Sequence, residues 1–285
     1  MNQFHAGPTA HFDPHQPLDE TTFAVFDVET TGLSPAYGHR ICEVGCLRVR
    51  GGIELDRFES LVDPRRPVSP GAFGVNRITA EMLRGAPIFE QIAAPLLQVM
   101  EGAVLVAHNA PFDLGFLAAE LDIARLPAPK NPVIDTLALA RRAYRLPRNS
   151  LSAVVVALDV KTSPTHRALS DVQATWGVLE RIILDLEHRQ GVATLGQLIE
   201  FQGGPIPHPH SRALSLPPAI TEALGNDGRV RMRYIDARGR ETNRLVRPFR
   251  VNERGGVLYL VAHCFRRGEL RTFRLDRVVE MALEE

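Results

Sequence analysis

Lysine is nearly missing from this chain: Lys130 and Lys161 are the only two among 33 basic side chains, and arginine supplies the rest. Cysteine is scarce too. Cys42, Cys46 and Cys264 are too few for a disulfide framework, which excludes the small stapled scaffolds of secreted proteins. Cys42 and Cys46 lie four apart on an apolar strand, on one face, and read as core residues in a reducing compartment. No apolar run reaches the roughly 18–20 residues of a membrane span, and the N-terminus lacks the basic and apolar regions of a signal peptide. A cytoplasmic protein with no membrane partner is therefore expected. Net charge is absent as well, with 33 basic residues against 33 acidic ones.

That zero conceals a division. Residues 1–211 carry 18 basic and 23 acidic side chains, whereas residues 212–285 carry 15 and 10, and all 15 are arginine. An acidic front half with a basic tail half is the distribution expected if the tail attracts a polyanion. At 285 residues, 45% of them hydrophobic, the chain can bury the cores of two domains.

The segment Phe23-Ala-Val-Phe-Asp-Val-Glu-Thr-Thr-Gly-Leu33 reads as a buried strand ended by Gly32. Residues two apart on a strand share a face, so Asp27 and Glu29 project side by side from apolar surroundings. Two like charges there favour a cation between them. Taken alone, such a pair is more often a solvated strand end.

Three downstream segments change that balance. Val104-Leu-Val-Ala-His-Asn-Ala-Pro-Phe-Asp113 reads as a short strand followed by a helix opened by Pro111. Asp113 falls in the first helical turn, where the macrodipole favours an acid. Asn131-Pro-Val-Ile-Asp-Thr136 reads as another short strand running into a helix. His166-Arg-Ala-Leu-Ser-Asp171 precedes a helix whose apolar positions Leu169, Val172, Trp176, Leu179, Ile183 and Leu186 recur every three or four residues. Asp171 lies near its start and His166 in the loop before it.

The order Asp27-x-Glu29, then Asp113 in a His-Asn-Ala-Pro-Phe-Asp run, then His166 five before Asp171, resembles the DEDDh 3′–5′ exonucleases over about residues 21–190. The Glu-Thr-Thr-Gly-Leu continuation is similar to the proofreading type. The resemblance implies an α/β ribonuclease H-like fold with a mixed sheet and a site for two divalent ions, Mg2+ or Mn2+, which oxygen ligands suit. It implies that Asp27 bridges both ions, that Glu29 and Asp171 complete the site of the ion holding the attacking water, and that Asp113 supports the other. His166 is then the general base, imidazole being the side chain that takes up a proton near neutrality.

Further residues are candidates for holding substrate. The backbone of Thr30, Thr31 and Gly32 would cradle the 3′-terminal nucleotide, Gly32 permitting close approach. Leu33 and Phe112 are apolar faces for the terminal base, or ordinary core residues. Asn76, in Gly74-Val-Asn-Arg-Ile-Thr79, resembles a family loop near the 3′ end and could equally cap the helix that follows. His108 is taken with the substrate contacts, and Asn109 as a brace of the site.

The domain reading is a flexible tail over 1–20, an exonuclease domain over 21–202, a Pro/Gly linker over 203–212 and a small β-rich unit over 213–285. The tail's His5, His11 and His15 read as loose chain and not as a metal site. In the last unit, Arg229–Tyr234, Arg244–Phe249, Val257–Ala262 and Leu270–Val278 read as strands of a compact SH3-like β-barrel. Gly-Val-Leu-Tyr-Leu-Val-Ala followed by Arg-Gly-Glu-Leu-Arg-Thr-Phe-Arg-Leu-Asp-Arg resembles a WYL domain, although Leu258 stands in place of the tryptophan. The resemblance implies a nucleic-acid or nucleotide ligand, with Arg244, Arg247, Tyr259, Arg271 and Arg274 as candidate contacts. Arginine suits bidentate phosphate binding, but the preference runs through the whole chain, so general composition explains it equally.

Together these features predict a metal-dependent 3′–5′ exonuclease acting on single-stranded or frayed DNA. The alternatives are an exoribonuclease that trims short RNA and a non-catalytic nucleic-acid-responsive regulator. A DNA polymerase or a repair protein is the candidate partner.

Overall fold

The computed structural model describes residues 12–35, 38–162, 164–209, 216–236, 239–254 and 257–284. β1 (Thr22–Thr30), β2 (Ile41–Arg50) and β3 (Ile53–Leu61) form an antiparallel meander. β4 (Val104–Ala107) and β5 (Val133–Asp135) join in parallel, giving a mixed sheet of order β3-β2-β1-β4-β5. Parallel neighbours need long crossovers. The connection that leads from β3 to β4, beside β1, carries α1 (Pro70–Asn76) and α2 (Phe89–Met100), and α3 (Ala110–Ile123) joins β4 to its other neighbour, β5.

Strand alternation decides the layers. Phe23, Val25, Leu47, Val49, Val104 and Val106 pack on one side against Val172, Val178, Leu179 and Ile182 of α6 (Ala168–Gln190). Around α6 lie α4 (Thr136–Ala143), α5 (Leu151–Ala157) and α7 (Leu195–Gln202). Ala24, Phe26, Val28, Val44, Cys46 and Leu105 pack on the opposite side against α2 and α3. Each large side chain buried in these layers contributes about 1.5–3 kcal/mol. Asp27 and Glu29 share the parity of Phe23 and Val25, and so they point toward α6.

Part of the predicted tail is structured. Leu18 is buried in the core, Pro17 pairs with Thr194, and the Leu18 N–H donates to the Ala193 carbonyl at 3.0 Å. Residues 12–20 therefore pack on the exonuclease unit, while residues 1–11, with His5 and His11, lie outside the described residues. The described part of the linker is anchored too. Ile206 packs against the sheet core, and His208 Nε2 donates to the Asn131 carbonyl at 2.6 Å.

The C-terminal unit opens with a helix the sequence reading passed over, α8 (Pro218–Gly225). β6 (Arg229–Ile235), β7 (Glu241–Arg254), β8 (Val257–Cys264), β9 (Glu269–Arg274) and β10 (Val278–Glu284) follow. They form an antiparallel sheet of order β10-β6-β7-β8-β9. The predicted SH3-like barrel is not closed: among the described residues, β9 and β10 are the two edges and do not pair. A 3-10 turn at Leu275–Arg277 breaks the strand predicted over 270–278 and sends β10 back to β6. α8 covers the sheet in place of closure, with Ile220 and Ala223 in its core. Arg141 of α4 pairs with Glu222 of α8, and Gly71 of α1 lies so close to the Val279 carbonyl that a Cβ would not fit. Among the described residues, no helix is long and apolar enough to cross a membrane.

Candidate active site

The β1–β4 ladder ends at Val25, opposite Val106, which leaves the backbone beyond it free for side chains. Asp113 takes that place: its Oδ1 accepts the Val28 N–H at 3.1 Å. The helix carrying it is aimed from below. Asn109, in the left-handed conformation at φ 75°, turns the chain from β4 into α3. Its N–H donates to Asp135 Oδ1 at 2.8 Å, and the same oxygen caps α4 through the Leu137 N–H at 3.0 Å. Gln202 of α7 in turn accepts the Asp135 N–H at 3.0 Å.

Asp171 arrives from the other side of the sheet. Its Oδ1 accepts the N–H groups of Thr165 at 2.9 Å and His166 at 3.1 Å, fastening the loop onto the first turn of α6. His166 has φ 56° and an exposed side chain. The ligand atoms of Glu29, His166 and Asp171 all lie within 4.8 Å of one another. Asp27, half-buried, stands on the same strand face as Glu29.

Burial and crowding raise these acids above the usual carboxylate range. Burial pushes Glu29 up to about 8, helped by Asp171 and opposed by a hydrogen bond from Asn76. Asp27 is raised by burial and then by Asp113, Glu29 and Asp171. Asp113 is raised by burial against the Val28 hydrogen bond, and Asp171 by burial against the Thr165 hydrogen bond and the His166 charge. A cation among them would relieve this penalty. The donors are carboxylate oxygens with one imidazole and no thiolate, which suits Mg2+ or Mn2+ better than zinc.

The substrate candidates divide into two groups. Thr30, Thr31 and Gly32 form a tight loop beside the acids. Thr30 Oγ1 donates to the Gly32 carbonyl at 2.6 Å, and Thr31 Oγ1 accepts the Arg40 N–H at 3.1 Å. Gly32 lies under the His39 ring, where a Cβ would come within 2.3 Å of Cε1. Leu33, half-buried, lines a cleft with Gly32, His39, Ser69 and Ala72, facing Leu275, Val278 and Val279 of the C-terminal unit.

The others brace. Asn76 ends α1 and does not cap the helix that follows, which starts at Phe89. It donates to the Thr30 carbonyl at 3.3 Å and accepts the Ile78 N–H at 3.1 Å. His108 is held on both ring nitrogens, by Thr136 Oγ1 at 2.9 Å and the Asn149 carbonyl at 2.9 Å, and burial pushes its pKa down. It ties β4 to α4 and offers no free nitrogen to substrate. Phe112 packs on Phe116 with ring centroids 5.0 Å apart.

The C-terminal candidates do not form one cluster. Directly paired residues share a sheet face. Arg244 pairs with buried Met232 and Arg271 with buried Ala262, on the core side, whereas Arg247 pairs with His263 and Tyr259 with Arg274 on the opposite side. Tyr259 and Arg274 alone are direct neighbours.

Residues 24–179 match the exonuclease family model. The chain belongs to the exonuclease family. Residues 217–283 match the WYL domain. The exonuclease part is 40% identical over 183 residues to the DNA polymerase III PolC-type of Halalkalibacterium halodurans, covering 64% of this chain and 13% of that protein. The chain thus spans about an eighth of that relative's length. A full-length 3′-exonuclease shares the fold at TM-score 0.51 and 17% identity, covering 64% of each chain. Exonuclease X in complex with 5′ overhanging duplex DNA is 29% identical, covers 64% of this chain and 99% of its own, and has TM-score 0.48. The family makes the chain an enzyme, an exonuclease.

The sequence reading passed over two buried acids, Glu43 and Glu120. Glu43, alone among apolar neighbours in Ile41-Cys-Glu-Val-Gly-Cys46, was the one legible sign of them.

Proposed function

We propose that this chain hydrolyses the terminal phosphodiester at 3′ ends of single-stranded or frayed DNA. The observation that carries the reading is the convergence of Glu29, His166 and Asp171 within 4.8 Å at the end of the strand that also bears Asp27. Asp27, Glu29, Asp113 and Asp171 would hold two divalent ions, Mg2+ or Mn2+. Such a pair lowers the pKa of a bound water and neutralises charge on the attacking and leaving oxygens. His166, on its exposed loop, takes the proton from the attacking water. Thr30, Thr31 and Gly32 receive the terminal nucleotide through backbone groups, and Leu33 supplies an apolar face for its base.

DNA is preferred over RNA because the PolC-type relative is a DNA polymerase. The same likeness supports a role beside a polymerase. We assign catalysis to residues 21–202 and nucleic-acid or nucleotide binding to the arginine-rich residues 213–285. Free, buried Cys42, Cys46 and Cys264 fit a reducing cytoplasm.

The test is digestion of end-labelled single-stranded DNA, duplex DNA and short RNA with Mg2+, Mn2+ or chelator, comparing wild type with Asp27→Ala. Metal-dependent shortening of single-stranded DNA from its 3′ end, lost in the variant, is expected. Cleavage that survives both chelation and Asp27→Ala would end this reading, and faster cleavage of RNA than DNA would reassign the substrate.

A further inference from the structure

We propose that Glu43 is a positioning residue for hydrolysis, holding the start of α6 so that His166 and Asp171 meet Asp27 and Glu29. The inference rests on the catalytic reading above and adds a residue that touches neither substrate nor reacting atoms.

Glu43 is fully buried on β2, directly opposite Glu29 in the β1–β2 ladder. A buried carboxylate facing another acid is costly unless its oxygens are satisfied. Here they are satisfied by one short stretch of chain. Arg167 Nε lies 3.0 Å from both oxygens and Nη2 lies 2.5 Å from Oε1, while Oε2 accepts the Ala168 N–H at 3.0 Å. Ala168 is the first residue of α6, and Arg167, at its N-cap, makes no side-chain cap of its own. Helix starts leave N–H groups without intrahelical partners and attract negative charge. Glu43 thus does the capping from another strand. His166 directly precedes this clamp and Asp171 follows it within one turn, so the same few bonds set the position of both.

The fold uses the same arrangement a second time, at the other loop of the site. Glu120 of α3, also buried, accepts Arg40 Nε at 2.7 Å, Arg40 Nη2 at 2.6 Å and the Ile41 N–H at 3.0 Å. Arg40 pairs through its backbone with Thr31 of the nucleotide loop. Two clamps of like chemistry therefore act on different parts of the site, and each is the control for the other. Disturbing Glu43 should move the base and a carboxylate, which affects turnover. Disturbing Glu120 should move the nucleotide cradle, which affects binding.

The experiment is steady-state hydrolysis of a 3′-labelled single-stranded oligodeoxynucleotide with Mg2+, each variant being checked for folding by thermal unfolding. The variants are Glu43→Gln, the pair Glu43→Gln with Arg167→Met, Glu120→Gln and Asp27→Ala. The paired variant removes both charges, so a buried unpaired ion does not confuse the result. A displacement near 1 Å costs about 100-fold in rate. Accordingly, kcat of Glu43→Gln should fall on the order of 100-fold with KM within about threefold, and the paired variant should lose little more, because both changes release one clamp. Glu120→Gln should mainly raise KM. Folded Glu43 variants with wild-type kcat, or with the KM-dominated loss expected of Glu120→Gln, would overturn the proposal. If Asp27→Ala retains full activity, the catalytic reading itself fails, and that outcome is separate from any result at Glu43.

Discussion

Gly45 stands directly opposite Asp27 in the β1–β2 ladder, and the space left by its missing side chain is taken by the backbone that begins α6. A Cβ at this position would lie 2.8 Å from both the Ala168 carbonyl carbon and the Leu169 nitrogen. Neither atom belongs to a flexible side chain that could swing aside. Gly45→Ala should therefore push α6 away from β1, costing about 1–3 kcal/mol of stability and at least roughly tenfold in kcat. Urea unfolding and steady-state kinetics check this. Wild-type values for both would mean that α6 does not depend on this contact.

The crowded carboxylates predict how stability without metal depends on pH. In the folded chain Glu29 is raised from 4.5 to about 8, and Asp27, Asp113 and Asp171 are raised as well. The folded state holds these protons more tightly than the unfolded one. Their stabilising contribution is therefore present in full below about pH 4 and is lost as pH rises through the folded values, near 8 for Glu29. In chelator, Tm should fall between pH 5 and pH 8. Excess Mg2+ should raise Tm more at pH 8 than at pH 5, because the ion binds the deprotonated acids. Equal Mg2+ shifts at the two pH values would contradict the shared cation site.

His166 and Asp27 should fail in different ways. His166→Ala removes proton transfer and should lower kcat by about 10²–10⁴-fold while keeping most of the Mg2+-dependent rise in Tm. Asp27→Ala should lose both. Differential scanning fluorimetry beside a nuclease assay separates them, and unchanged turnover in His166→Ala would remove that residue from the chemistry.

The chain cut after Pro209 keeps Ile206 and His208 packed on the exonuclease unit. It loses Leu275, Val278 and Val279, which face Leu33 across the cleft. Its KM for single-stranded DNA should rise roughly tenfold at low salt, and the salt dependence of KM should flatten as phosphate contacts are lost. An unchanged KM and salt slope would show that the arginine-rich unit takes no part in substrate binding.

What could be read from the sequence was local. The β1 acids, Asp113 in the first turn of α3 and the five-residue interval from His166 to Asp171 follow from strand alternation and helix starts. The structure places all of them around one strand end. The barrel was misjudged because alternation identifies strands without fixing their closure. The 3-10 turn at Leu275–Arg277, which separates β9 from β10, lies inside an otherwise regular pattern. The bracing bonds of Asn76, read as a contact near the 3′ end or a helix cap, and of His108, taken with the substrate contacts, were not legible because their partners, Thr30, Thr136 and Asn149, are distant in sequence. Glu43 and Glu120 were overlooked for the same reason: each is satisfied by an arginine about 80 or more positions away.

The backbone of His166 has one more consequence. At φ 56° the residue occupies a region that disfavours any side chain with a Cβ by roughly 1 kcal/mol or more. Glycine would relax there and could do no acid–base chemistry. Durability and turnover therefore pull in opposite directions at this position. A search for heat-resistant variants that scored survival alone would drift toward an inert enzyme, so screens of this loop must read nucleotide release directly.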